Sequence, residues 1–235
     1  MGNRLNYVMQ KYVYFNQPRL KSFEPIVVNR DKAFLYNKIK KNATKYIKDL
    51  VSSGVALSEA ELERLGGKKH RASKLSVRSI PDNFSKYRSL LVLRDPADRC
   101  LSAFLDKFSN QKEKYSGYEK FELTPQGFER FVSWLPDGGL EQDLHWDLQW
   151  NAIVFPMTFY THVIRFENLN EKLSEIMMEA GYSKSLFDEE ASKKKILRNK
   201  TFASDKRIEW IPGDLQRRLE TIYAKDYEII SRFSE

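Results

Sequence analysis

The sequence predicts an α/β fold of three layers around a central parallel sheet, on three observations. Short apolar runs at residues 33–37, 89–93 and 161–166 have the length of strands rather than helices. Each is followed by a turn and then by apolar residues at helical spacing. The runs are nearly all apolar, which suits a sheet covered on both faces. Strands that alternate with helices are joined by crossovers, and crossovers make neighbouring strands parallel.

The elements follow in order. After an aromatic N-terminal arm over residues 1–24, the run 33–37 forms the first strand and residues 38–45 a basic turn. Tyr46, Ile47, Leu50 and Val51 are the buried stripe of a short helix that stops before Gly54. A loop over 66–71 precedes the second strand, 89–93. The next helix has a well-specified entry: Asp95 caps it, Pro96 takes the first helical position, where its missing N–H is harmless, and Asp98 sets a carboxylate at the positive end of the dipole. Leu101, Phe104, Leu105 and Phe108 form its core stripe, while Arg99, Ser102 and Asp106 fall on another face. Past a polar insertion at 110–117, Thr124 and Pro125 open a helix carrying Phe128, Phe131, Val132 and Leu135, and residues 136–139 end it. The third strand, 161–166, leads to a helix over 168–178 that stops at Gly181. A basic loop over 192–205 and one amphipathic helix with Leu215, Leu219, Ile222, Tyr223 and Tyr227 complete the chain. With no internal repeat or low-complexity linker, residues 1–235 read as a single domain.

Composition narrows the class. A chain of 235 residues, 41% hydrophobic, can bury a core without help from disulfides or metals. Cys100 is the only cysteine, so no internal disulfide forms, no zinc spacing exists, and a reducing cytoplasm is expected. No apolar run is long enough to span a bilayer. The net charge of +8 implies attraction to anions. The basic residues are spread over several segments without a nucleic-acid-binding motif, so no nucleic-acid partner is expected.

The candidate site lies where the strands end. Arg94 closes the second strand, and a helix with free N–H groups and the Ser102 hydroxyl follows it, an arrangement suited to a phosphate dianion. The bland alternative pairs Arg94 with Asp98 or Asp106 and leaves Ser102 as a capping residue. Together, Arg94-Asp95-Pro96, Arg99, Ser102-Ala103 and Lys107-Phe108 resemble the 3′-phosphate signature of sulfotransferases, Arg-Asp-Pro-x-x-Arg-x-x-Ser-Ala-x-x-x-Lys-Phe, above all that of the carbohydrate-modifying branch. The resemblance implies 3′-phosphoadenosine 5′-phosphosulfate (PAPS) as cosubstrate, with Arg94 and Ser102 on its 3′-phosphate and no metal.

It also implies a P-loop-kinase-like 5′-phosphosulfate loop upstream. Aligning Tyr36-Asn37 and Ala43 with the family's Tyr-Asn-x-x-Pro-Lys-x-Ala-x-Thr-Ser puts the functional lysine at Lys41 and the cradle at Asn42, Ala43 and Thr44. Lys40 stands where the family has proline, and Lys45-Tyr46 where it has Thr-Ser, so the expected hydroxyl comes from Thr44 or gives way to the Lys45 ammonium. Lys38 competes with Lys41 if the register moves, and a solvated face is the bland reading of the lysine cluster. No Gly-x-x-x-x-Gly-Lys-Ser/Thr pattern occurs, which disfavours an ordinary nucleoside triphosphatase.

Further along, His145-Trp146 with Gln149 is similar to the family's His-Trp-x-Pro-Gln element, with Leu148 in place of proline, and residues 166–169 are similar to its Phe-Glu-Asn-Leu. By the same resemblance, Arg198 and Lys200 in the basic loop close over the phosphates. The resemblance implies a carbohydrate hydroxyl as acceptor, with a small natural product as the alternative, and removing the hydroxyl's proton needs a base. Of three histidines, His162 alternates within a strand and reads as structural, which leaves His70 and His145, with Glu59 and Glu61 as carboxylate alternatives. A P-loop-like nucleotide or nucleoside kinase and a non-catalytic nucleotide-binding protein are the alternative readings.

Overall fold

The computed structural model describes residues 24–53, 73–75, 86–109, 120–187 and 203–233. Its centre is a five-stranded sheet of β1 (Ile26–Asn29), β2 (Phe34–Asn37), β3 (Ser73–Leu75), β4 (Arg88–Leu93) and β5 (His162–Arg165), in the order β3-β1-β2-β4-β5. β2, β4 and β5 are mutually parallel, with Tyr36 opposite Leu90 and Leu93 opposite Arg165. β1 is antiparallel to both β2 and β3. The expectation of a parallel sheet is therefore corrected to a mixed one. The chain reaches the parallel half through a β1–β2 hairpin whose turn ends at Ala33 with φ of 45°. No helix separates these two strands, so they pair antiparallel.

The helices are α1 (Thr44–Ser53), α2 (Pro96–Phe108), α3 (Pro125–Trp134), the single turn α4 (Gln149–Ala152), α5 (Leu169–Glu179), α6 (Ala203–Trp210), α7 (Gly213–Ile222) and α8 (Ala224–Ser231). The single final helix of the sequence reading is two, because the backbone at Tyr223 leaves the helical region between α7 and α8. The end of the basic loop is also shorter than read, since α6 already begins at Ala203.

Side-chain alternation divides the core between the two sheet faces. Val27, Phe34, Tyr36, Leu90, Val92 and Ile164 pack on α1 and α5 through Ile47, Leu50, Leu173 and Met177. Ile26, Val28, Leu35, Leu91 and Leu93 pack instead on Ile153, Phe155, Tyr160 and, from α8, Ile229 and Ile230. A third cluster joins α2, α3, α6 and α7 around Phe104, Phe131 and Trp146. Among the described residues, no helix is long and apolar enough to cross a membrane.

Candidate active site at the carboxyl ends of the parallel strands

β2, β4 and β5 end together at Asn37, Leu93 and Arg165. The 38–43 loop, Arg94 and Phe166 therefore leave the sheet on one edge, where open α/β sheets form their ligand crevices. Two non-glycine residues of that loop are left-handed, Lys41 with φ of 72° and Ala43 with φ of 53°. Such a conformation costs about 1–2 kcal/mol per residue, so surrounding contacts must hold it. Asn42 is fully buried and donates through Nδ2 to the Val92 carbonyl at 2.8 Å and to Gln149 Oε1 at 2.7 Å. Thr44 donates its hydroxyl to the Ile39 carbonyl. Arg94 Nη1 donates to the Lys41 carbonyl at 3.0 Å, and Arg99 Nε to the Lys40 carbonyl at 3.0 Å. Asn42 and Thr44 thus point inward as braces of the loop, and Lys45 is exposed.

Arg94 is buried and lies 4.4 Å over the Phe166 ring. Its main chain is held by the Gln149 amide, which accepts from the Arg94 N–H at 3.1 Å and donates to the Arg94 carbonyl at 2.8 Å. Arg94 Nε is buried and finds no hydrogen-bond partner among the described residues. Burial lowers the guanidinium's pKa, against the pull of Asp98 and Glu167. The bland pairing does not form. Arg207 takes Asp98 at 2.9 Å and Asp95 at 3.0 Å, while Lys41 and Lys107 take Asp106 at 3.3 and 3.6 Å.

The start of α2 departs from expectation. Of its first-turn N–H groups, Asp98 donates to the Asp95 side chain and Arg99 to the Asp95 carbonyl, Pro96 has none, and the Ala97 N–H lies near the Tyr227 hydroxyl, whose pKa it helps to lower. Arg99 and Ser102 are both buried.

Arg99 explains how the loops keep their places. Fully buried, it reaches Lys40 with Nε, the Asp147 carbonyl with Nη1 at 2.6 Å and the Leu144 carbonyl with Nη2 at 2.9 Å. One guanidinium thus joins the 38–43 loop to the turn that carries His145. Asp226 of α8 supports the same region by accepting from the N–H groups of Gln149 and Trp150 at 2.8 and 2.9 Å.

His145 sits on that turn, 19% exposed, with Nδ1 against Asp143 Oδ1. Burial lowers its pKa, Asp143 opposes the shift, and Lys107 and Lys40 add to it. Asp106 feels the His145 charge as well as those of Lys41 and Lys107. Burial would raise the Asp106 carboxyl, but these cations outweigh it and hold it below the ordinary carboxylate range. Burial also lowers Lys41, to about 8, against the opposing charge of Asp106. Lys41, Arg94 and His145 therefore share one electrostatic neighbourhood around α2.

His162 lies at the other end of the strands, with Nε2 3.8 Å from Glu179. His70, Glu59, Glu61, Arg198 and Lys200 lie outside the described residues. Sequence reasoning gave no role to Asp143, Lys107, Gln149 or Asp226, and quoted Arg99 only as part of a signature. The Asp-x-His spacing of Asp143 and His145 was the one available signal for a carboxylate beside an imidazole.

No curated protein and no solved structure matches the chain. A model of the sulfotransferase family matches residues 24–230, from the residue before Pro25 to the last turn of α8. The match takes in the loop of Lys41, the Arg94 strand end and the His145 turn, and the chain belongs to the sulfotransferase family, a family of PAPS-dependent enzymes.

Proposed function

We propose that this protein transfers a sulfuryl group from PAPS to a hydroxyl of a carbohydrate or small natural-product acceptor at the crevice between Lys41, Arg94 and His145. One observation carries the reading: a buried guanidinium with an unpartnered Nε stands beside an ammonium at the carboxyl ends of three parallel strands. A buried donor left unpaired costs about 1–3 kcal/mol, and an anion relieves that cost. The residues present fit PAPS. Arg94 and Ser102 would hold its 3′-phosphate, Lys41 and the main chain of Asn42, Ala43 and Thr44 its 5′ end, with Arg198 and Lys200 closing from outside the described residues. When bound, PAPS supplies the sulfuryl group and a phosphate leaving group.

The chain's own residues supply the rest. Lys41 meets charge as it grows on the leaving oxygen, a stabilisation worth most where water is excluded. His145 takes the acceptor's proton: among the described residues it is the histidine near the Lys41–Asp106 pair, while His70, Glu59 and Glu61 lie outside them. This division of labour needs no metal, and positioning and electrostatics do most of the work. The nucleotide-kinase reading gives way to family membership.

Calorimetry with adenosine 3′,5′-bisphosphate, against ATP with Mg²⁺, tests the nucleotide. Tight metal-free binding of the bisphosphate is expected. Preference for ATP with Mg²⁺ would overturn the proposal, and bisphosphate binding without sulfate transfer to any hydroxyl acceptor would leave a binding protein.

A further inference from the structure

We propose that Asp143 is the positioning residue of this site: it holds the His145 imidazole in the tautomer that keeps the proton on Nδ1 and the lone pair on Nε2. The inference rests on His145 being the base.

The geometry is that of a carboxylate reading one edge of a ring. Asp143 Oδ1 accepts from the His145 main-chain N–H at 2.8 Å and also meets His145 Nδ1. An ionised carboxylate only accepts, so the nitrogen facing it must carry hydrogen. In the neutral ring the lone pair then lies on Nε2, the atom able to take a hydroxyl proton. The pair is 14% and 19% exposed, so solvent screens it little. When Nε2 takes the proton, the ring becomes imidazolium, Nδ1 keeps its own hydrogen and Asp143 stays ionised beside the new charge.

The turn that carries the pair is built to hold still. The Asp143 carbonyl accepts from the N–H groups of Trp146 and Asp147 at 3.1 and 3.0 Å. Arg99 pins the Leu144 and Asp147 carbonyls, and the Tyr223 hydroxyl donates to the Trp146 carbonyl at 2.6 Å. Trp146 is itself buried, with Nε1 donating to the Gly139 carbonyl at 2.9 Å. Ring orientation is therefore inherited from the packed α2–α3–α7 cluster.

The charges facing His145 come from three places. Asp143 lies on its own turn, Lys107 and Asp106 on α2, and Lys40 on the loop after β2. Asp143 is the anion in direct contact with the ring, and the two lysines disfavour imidazolium. Loss of its charge must lower the pH at which His145 protonates.

Asp143→Asn separates this role from a structural one. Asn keeps an oxygen for the His145 N–H, so the turn survives, but the negative charge at Nδ1 is lost and the amide can donate to it instead. Asp143→Asn should lower kcat by roughly ten- to a thousandfold. Bisphosphate affinity and melting temperature should stay near wild type, and the acidic limb of kcat/KM should move to lower pH. Asp143→Glu should recover part of the rate. ¹⁵N spectra of the histidines, with His145 assigned by His145→Gln, should report Nδ1–H in the wild type and lose that tautomer in Asp143→Asn.

If His145→Gln abolishes turnover while Asp143→Asn keeps both rate and acidic limb, Asp143 is no positioning residue and the base assignment stands. An Nε2–H tautomer in the wild type, or a loss of rate explained by a lower melting temperature with the limb unmoved, overturns it equally. Full turnover by His145→Gln, with the limb in place, removes the base assignment itself and this inference with it.

Discussion

The Arg94 guanidinium donates to the main-chain carbonyl of Lys41 at 3.0 Å, so the residue proposed for the 3′-phosphate also holds the loop proposed for the 5′ end. The two halves of the proposed nucleotide site are thereby one mechanical unit. Phe166 beneath the guanidinium and the Gln149 amide on the Arg94 main chain fix the other sides of that unit.

Arg94→Ala should weaken adenosine 3′,5′-bisphosphate binding by about 2–4 kcal/mol, because a dianion loses a charge-assisted partner. Arg94→Lys should recover little, since an ammonium neither stacks flat on Phe166 nor reaches the Lys41 carbonyl and an anion at once. Calorimetry on folded variants checks both. Unchanged affinity in Arg94→Ala would remove the 3′-phosphate assignment.

The pH dependence has a defined alkaline side. Lys41 must be charged to meet a leaving phosphate, and burial sets its pKa at about 8 in the free protein. It is protonated below that pH, so kcat/KM should hold above the acidic limb set by His145 and fall as pH rises through about 8. Asp106 raises the Lys41 pKa, hence Asp106→Asn should carry this limb to lower pH. Lys41→Ala should remove the limb and depress kcat by roughly a hundred- to a thousandfold. A limb that survives in Lys41→Ala and disappears in Lys38→Ala would move the functional lysine by three positions.

The parts of this molecule legible in the sequence are those set by local pattern. Strands β2, β4 and β5 announce themselves as apolar runs, and α2 through Asp95, Pro96 and its apolar spacing. Arg94 follows at once, since it directly succeeds a strand end, whereas Lys41 lies four residues beyond Asn37 and is reached only through the resemblance of its loop to the family's. β1 and β3 were missed because β1 is four residues with no helix after it, and Ser73–Leu75 is three residues that become a strand only by pairing with β1. Arg99 lies beyond what periodicity can show. The apolar spacing sets it off the core stripe, but its partners are carbonyls 45 to 59 residues away, and main-chain acceptors leave no trace in side-chain pattern. The α2 N-terminus is less open than the sequence suggests, because Asp95 takes the N–H groups of both Asp98 and Arg99.

Arg99 also yields the clearest stability prediction. Its side chain is fully buried, and its three hydrogen bonds all end on main-chain carbonyls, of Lys40, Leu144 and Asp147. Arg99→Met roughly preserves the length of the side chain but leaves those acceptors without the guanidinium. It also takes away the cation that holds down the buried Asp226 carboxyl, which burial already raises. Removing one partner from such a buried polar network costs about 3–5 kcal/mol. For a chain of this size that is a fall in melting temperature of about 6–20 °C. Arg99→Lys should rescue little, because one ammonium cannot span carbonyls that a planar fork reaches in three directions. The loss should extend to activity below the melting transition, since the Lys41 loop and the His145 turn are then no longer joined. Urea titrations and rate measurements at low temperature check both halves. A wild-type midpoint in Arg99→Met would show that this guanidinium contributes nothing to the fold, and an Arg99→Lys enzyme with normal turnover would show that the loop and the turn are held by other contacts.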